Sequence, residues 1–151
     1  MFATREVTET ETFIAFSFLT VAASCDARDY RVPNKLIGLG YLAGLYINIA
    51  DYGLAGIPVF LAKAAWPILL LYILYVLGGL GAGDIKLFSV ISAVVGGRIC
   101  WKLILVSVML AGVPALLILV SDKVRDGKKL HFTYYMTLGL LLITVWEELM
   151  I

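Results

Sequence analysis

Six apolar runs separated by short polar segments limit what this chain can fold into. They cover Thr12–Cys25, Leu36–Ala50, Ile57–Leu77, Ile85–Val95, Ile99–Val120 and Phe132–Trp146. Hydrophobic residues make up 62% of the 151 residues and charged residues only 15%, whereas soluble domains have about 45–50% apolar and 25% charged residues. A domain of this size in water could not bury so much apolar surface. The pattern predicts an all-α membrane protein with about six transmembrane helices, forming a single domain over residues 1–151.

The charged residues around these runs predict how the chain is oriented. The first run follows Arg5 and several glutamates, whereas a cleavable signal peptide begins with a positively charged region. We therefore expect the first run to be a retained helix. With the N-terminus outside, the inner segments contain eight Lys and Arg residues and the outer segments three, with Lys63 inside a run. The positive-inside rule then predicts an N-out/C-out, multi-pass membrane protein.

Composition also disfavours several kinds of site. The net charge of +1 gives no basic surface for nucleic acid. His131 is the single histidine, and Cys25 and Cys100 form no CxxC pair. Neither a multi-histidine metal site nor a zinc ribbon is indicated. We therefore predict no metal, no cofactor and no nucleic-acid partner, and the sequence specifies no oligomeric state.

Two polar stretches fall on the predicted cytoplasmic side, where a carboxylate at the bilayer edge is a functional hypothesis by default. Residues 25–34 contain Asp26 and Asp29, and residues 78–86 contain four glycines followed by Asp84. The glycines allow a sharp turn or close helix packing. An Asp at the start of the next helix is favourable as an N-cap. The Gly-rich segment is therefore expected before the fourth helix, with Asp84 as the first residue of that helix.

Two aspartates at one membrane level provide what an aspartic peptidase needs. When two carboxyls lie close together, repulsion raises one of their pKa values. The protonated carboxyl can polarise a scissile carbonyl while the ionised one accepts a proton from the attacking water. This chemistry requires neither a metal nor a nucleophilic side chain. Asp26 and Asp84 are the candidate pair; Asp29 is the alternative to Asp26 and is otherwise a solvated loop acid.

Two motifs resemble those of the type IV prepilin peptidase family, which are GxGD intramembrane aspartic proteases. The first family motif is an Asp, six further residues and Pro-Asn or Pro-Asp, and residues 26–34 match it. The second is Gly-x-Gly-Asp-x-Lys, and residues 81–86 match it. The resemblance spans essentially the whole chain and is strongest to the short forms that serve tight-adherence (Flp/Tad) pili.

The resemblance implies an aspartic endopeptidase that cuts prepilins or pseudopilins at the cytoplasmic face, just after a basic leader ending in Gly. The substrate's apolar helix would lie in the lipid bilayer. The residues that the resemblance assigns to the site are Asp26 and Asp84 as the catalytic pair and Pro33, Asn34, Gly81, Gly83 and Lys86 as supporting residues.

The sequence also departs from the long members of that family. Those proteins carry a CxxC…CxxC zinc domain and N-methylate the new pilin N-terminus, whereas Cys25 and Cys100 are isolated. The family tends to have a proline before its last helix, and residues 131–139 contain none. A small transporter using the aspartates as a relay is an alternative, but the two halves show no matching repeats or broken helices. A non-catalytic pilus-assembly scaffold is another, and it would tolerate Asp84→Asn.

Overall fold

A computed structural model describes residues 9–29, 32–76, 80–120 and 132–149 of the chain. Within these ranges the structure is almost entirely helical and contains no strand, which confirms the all-α prediction. The elements are α1 Glu9–Asp29, α2 Asn34–Tyr52, a 3-10 turn Gly53–Ala55, α3 Gly56–Val76, α4 Ala82–Val95, α5 Gly97–Val120 and α6 Phe132–Leu149.

Each helix corresponds to one apolar run, but several helices extend beyond the apolar residues. The first run ends at Cys25, whereas α1 continues to Asp29. The fourth run starts at Ile85, whereas α4 starts at Ala82. Helical backbone hydrogen bonds do not depend on apolar side chains, so polar residues can continue a helix past its apolar run. As a result, both candidate aspartates lie on helices.

Helix α4 is the centre of the described bundle. Ten of its 14 residues are buried, including every residue from 87 to 95. A helix that is apolar all round must be covered on every side. Four helices, α1, α2, α3 and α5, pack against α4. Helix α6 completes the arrangement by packing against α1 and α5, so the first and last helices are neighbours.

A buried polar cluster joins α2, α3 and α4. Asn48 is 0% exposed, and its Nδ2 donates to the carbonyls of Gly44 at 2.7 Å and Ala93 at 2.8 Å. The ammonium of Lys63 donates to Asn48 Oδ1 at 2.8 Å and lies 5.7 Å from the centre of the Tyr52 ring. Lys63 therefore faces protein. The other way to accommodate a lysine within an apolar run would be to extend its ammonium to the membrane surface.

Much of the apolar surface on α2 and α3 is exposed. Among the described residues, one continuous helical stretch, Asn34–Val76, is long and apolar enough to cross a membrane, and only 17% of its most apolar window is buried. Exposed side chains on α3 include Leu69, Ile73 and Val76. Length and composition are the whole basis of that assignment. The six spans and the N-out/C-out orientation stay predictions.

Candidate active site at one end of the helix bundle

The residues of both sequence motifs lie at helix ends that the fold brings together. Asp26 lies in the last turn of α1, and Asn34 is the first residue of α2. Asp84 and Lys86 lie in the first turns of α4. Hydrogen bonds connect α1 with the start of α6, and α4 with the start of α2. The four helix ends are therefore joined in two pairs, α1 with α6 and α4 with α2.

Asp84 is held at the start of α4 by the backbone of its own motif. Gly81 is the N-cap residue, with extended backbone angles φ −79° and ψ 150°, and Ala82 begins the helix. The N–H of Gly81 donates to Asp84 Oδ2 at 3.2 Å. The prediction that Asp84 is the N-cap is therefore wrong, since Asp84 is the third helical residue. Its carboxyl reaches back to the N-cap N–H, as the acidic residue of a capping box does.

The two glycines of the motif differ in what surrounds them. A Cβ placed on Gly81 would lie 3.0 Å from Asp84 Oδ2, closer than side chains ordinarily approach. A Cβ placed on Gly83 would meet no atom within 4 Å. The missing side chain at Gly81 therefore leaves room for the Asp84 carboxyl. Nothing in the space around Gly83 explains why glycine occurs there.

Asp26 receives a hydrogen bond that the sequence did not predict. The Thr133 hydroxyl, on the first turn of α6, donates to Asp26 Oδ2 at 3.2 Å. Thr133 is only 1% exposed, while Asp26 is half-buried. The contact joins the last turn of α1 to the first turn of α6. The one sequence signal for Thr133 was a hydroxyl at the start of an apolar run on the predicted cytoplasmic side.

Two observations place the Asp26 and Asp84 carboxyls in the same region. Phe88 lies one helical turn after Asp84, and its ring packs edge-on against the ring of Phe132, with centroids 5.9 Å apart. Phe132 immediately precedes Thr133, which binds Asp26. The two carboxyls are also close enough for the negative charge of Asp26 to act on Asp84.

Asp84 precedes the apolar run Ile85–Val95 and lies at the end of the bundle, outside the segment that we expect within the bilayer. The pKa of Asp84 is raised to about 6, and burial is the largest cause. Of the two smaller contributions, the hydrogen bond from the Gly81 N–H lowers the pKa and the negative charge of Asp26 raises it. Asp84 consequently keeps its proton to a higher pH than an ordinary aspartate, which suits the acid member of a pair.

The supporting residues connect the two motifs. Pro33 is the N-cap of α2, and its carbonyl accepts the N–H groups of Leu36 at 3.0 Å and Ile37 at 3.3 Å. Asn34 follows, and its Oδ1 accepts a hydrogen bond from the ammonium of Lys86 at 3.3 Å. Lys86 and Asn34 are both exposed. This contact joins the start of α4 to the start of α2.

The side chains of two further residues named in the sequence analysis are not described by the structure. Asp29 is the last residue of α1, and its side chain lies outside the described residues, as does His131. Within the ranges that the structure covers, no group of three or more His, Cys, Asp or Glu side chains could hold a metal ion.

The fold and the site define a class of protein, an all-helical bundle with a candidate pair of carboxyls at one end. The family model of the type IV leader peptidase family matches residues 13–120, well over half of the chain and including both motifs. The chain belongs to the type IV leader peptidase family, as the resemblance implied, and is therefore a peptidase of a membrane-embedded family. No curated protein and no solved structure matched the chain.

Proposed function

We propose that this chain is an aspartic endopeptidase that removes the leader peptide from Flp/Tad-type prepilins at the cytoplasmic face of the inner membrane. The observation that carries the proposal is the placement of Asp26 on α1 and Asp84 on α4 at the same end of the bundle, linked by the Phe88–Phe132 ring contact and the Thr133 hydrogen bond to Asp26. Family membership supports leader-peptide cleavage in general. The match of residues 26–34 and 81–86 to the two prepilin-peptidase motifs supports the narrower assignment.

In the first step of the proposed reaction, Asp26 acts as the base and Asp84 as the acid. The Asp26 carboxylate takes a proton from a water molecule, and the water oxygen bonds to the scissile carbonyl carbon. The carbonyl π electrons move onto its oxygen, which accepts the proton of Asp84. Both transfers are general acid–base catalysis, worth about 10²–10⁴-fold each. The product of this step is a gem-diol, with Asp26 protonated and Asp84 ionised.

In the second step the roles of the two carboxyls reverse. Asp26 donates its proton to the amide nitrogen as the C–N bond breaks. Asp84 takes a proton from one hydroxyl of the gem-diol, and the carbonyl of the new C-terminus re-forms. One water is consumed, one peptide bond is cleaved, and both aspartates return to their starting protonation states. The chain therefore needs no external co-reactant other than water.

The remaining motif residues keep these carboxyls in place. Gly81 supplies both the N–H that binds Asp84 and the space in which its carboxyl lies. Pro33 starts α2, and the contact of Lys86 with Asn34 fixes the start of α4 against it. In this proposal all of these residues act through the position of α4 or α2. They are positioning residues in this proposal.

The proposal places the six helices in the bilayer with both termini outside, and α4, at 14 residues or about 21 Å, is shorter than the hydrocarbon core. Helices of 21 residues, such as α1 and α3, are about 31 Å long at 1.5 Å per residue, close to the thickness of the hydrocarbon core. The exposed apolar side chains of α3 would face lipid. The ends of α1 and the starts of α2, α4 and α6 then share the cytoplasmic side, where basic residues are concentrated.

The proposed function predicts that the purified chain, reconstituted in liposomes with a tagged Flp-type prepilin, releases the leader peptide. Mass spectrometry of both products should locate the cut directly after the leader's final glycine. A prepilin with that glycine replaced by a bulky residue is the matched control and should not be cut. Absence of cleavage with the unaltered prepilin would favour a transporter or a pilus-assembly scaffold instead.

The two glycines of the second motif are expected to differ in their sensitivity to alanine. In Gly81→Ala the new methyl group displaces the Asp84 carboxyl, and misplacing a catalytic group by about 1 Å can lower the rate on the order of 10²-fold. In Gly83→Ala nothing is displaced, so kcat/KM should stay within about 3-fold of the parent. Prepilin cleavage at matched expression measures both. Equal losses in the two variants would contradict this account of Gly81.

A further inference from the structure

We propose that Thr133 is a positioning residue of the catalytic pair, whose hydroxyl holds Asp26 as the base that activates water. This inference rests on the proposed function and deepens it by adding a residue of α6 to the site. The supporting contact is the 3.2 Å hydrogen bond from Thr133 Oγ1 to Asp26 Oδ2, between residues 107 positions apart in sequence. Neither prepilin-peptidase motif includes Thr133.

The surroundings of Thr133 give its hydroxyl a fixed direction. Its side chain is 1% exposed, so water cannot readily replace Asp26 as its partner. The preceding residue, Phe132, packs edge-on against Phe88 of the central helix. One turn later, Thr137 Oγ1 donates to the Thr133 carbonyl at 2.9 Å. The start of α6 thus contacts α4 through Phe132 and α1 through Thr133.

The chemistry of the contact assigns the two catalytic roles. The hydroxyl donor occupies Oδ2 of Asp26 and fixes the plane of its carboxylate. Proton transfer from water is then assigned to Oδ1. Burial raises the pKa of Asp84 to about 6, so Asp84 holds a proton to a higher pH than an ordinary aspartate. The two aspartates therefore differ in their surroundings before substrate binds, and the Thr133 hydrogen bond is one of those differences.

The position of Thr133 along the chain adds to this inference. The family model matches residues 13–120 and stops before α6. Yet α6 packs against α1, and it supplies the donor to Asp26. Helix α6 therefore acts as part of the catalytic site, in addition to covering the bundle.

The test compares Thr133→Val and Thr133→Ser with Thr144→Val in the liposome cleavage assay. Valine removes the hydroxyl at nearly constant volume, and serine restores it. We expect Thr133→Val to lower kcat about 10–100-fold, the range for loss of a hydrogen bond to a charged group, with KM within about 3-fold. Thr133→Ser should recover kcat to within about 3-fold of the parent. Thr144→Val removes a hydroxyl that donates to the Leu141 carbonyl within α6 and does not contact Thr133, so it should retain activity.

The parent and Asp84→Asn are measured alongside, so that failure of this inference can be distinguished from failure of the proposed function. If the parent cleaves, Asp84→Asn does not, and Thr133→Val matches the parent, the role of Thr133 is overturned while the proposed function stands. If the parent cannot cleave, both are overturned. Should Thr133→Val not fold, Thr133→Ala replaces it, and equal kcat in Thr133→Ala and Thr133→Ser would overturn the inference.

Discussion

Replacing Asp84 with asparagine is expected to lower prepilin cleavage by at least about 10³-fold, because the variant has no proton to give to the scissile carbonyl. The substitution should leave the fold intact. Asparagine has nearly the same shape, and its side-chain oxygen can still accept the N–H of Gly81 at the start of α4. Initial rates of cleavage and the thermal midpoint in detergent should be measured on the same preparations. A loss of activity at unchanged thermal midpoint is the expected result.

The same experiment tests whether the two aspartates act as a unit. Asp26→Asn should cause a loss as large as Asp84→Asn, and the double variant should be no worse than the more severe single one. Groups that act in one step show such non-additive effects. If the losses of the two single variants multiplied in the double variant, the aspartates would be acting in independent steps, and the paired mechanism would be contradicted.

The largest expected effect on stability comes from Gly56→Ala, far from the candidate site. Gly56 is the buried first residue of α3. A Cβ placed on it would overlap the backbone carbonyl of Asn48 and lie 2.9 Å from the backbone nitrogen of Ile49. These atoms belong to the hydrogen-bonded backbone of α2 and cannot move independently. We expect a loss of about 2–3 kcal/mol in the free energy of unfolding.

Gly38→Ala is the matched control for Gly56→Ala. Gly38 lies on α2, and a Cβ placed on it would meet no atom within 4 Å. Alanine favours a helix over glycine by about 0.5–1 kcal/mol, so Gly38→Ala should keep or raise the thermal midpoint. Gly56→Ala should lower it by roughly 5 °C or more. A thermal midpoint for Gly56→Ala equal to that of Gly38→Ala would show that α2 and α3 do not pack as described.

Local sequence patterns predicted that the chain is all-helical and where its helices lie. Each apolar run became a helix because its residues favour one, and the position of Asp26 eight residues before Asn34 placed the two on consecutive helices. The glycines before Asp84 indicated a helix start there, but α4 starts at Ala82, two residues earlier than predicted. The N-cap residue was wrong, because an extended Gly81 can serve as the cap and leave Asp84 free to reach back to it.

Contacts between distant segments could not be predicted in this way. The partner of Asp26 is Thr133, 107 residues further along, and its recognition requires knowing that α1 packs against α6. The same holds for Lys63, whose charge is accommodated by Asn48 on another helix. Hydrophobic periodicity identifies which residues are helical, but it does not determine which helices are neighbours. The packing of the other helices around α4 determines which helices are neighbours.

The most direct test of the central claim, that Asp26 forms the catalytic pair with Asp84, compares Asp26→Asn with Asp29→Asn. Both residues lie in the last turn of α1, carry the same charge and are separated by three positions. Cleavage of a tagged Flp-type prepilin in liposomes is measured for the parent and both variants at equal amounts of protein. The account predicts that Asp26→Asn abolishes cleavage while Asp29→Asn retains it. Cleavage that survives in Asp26→Asn and is lost in Asp29→Asn would contradict it.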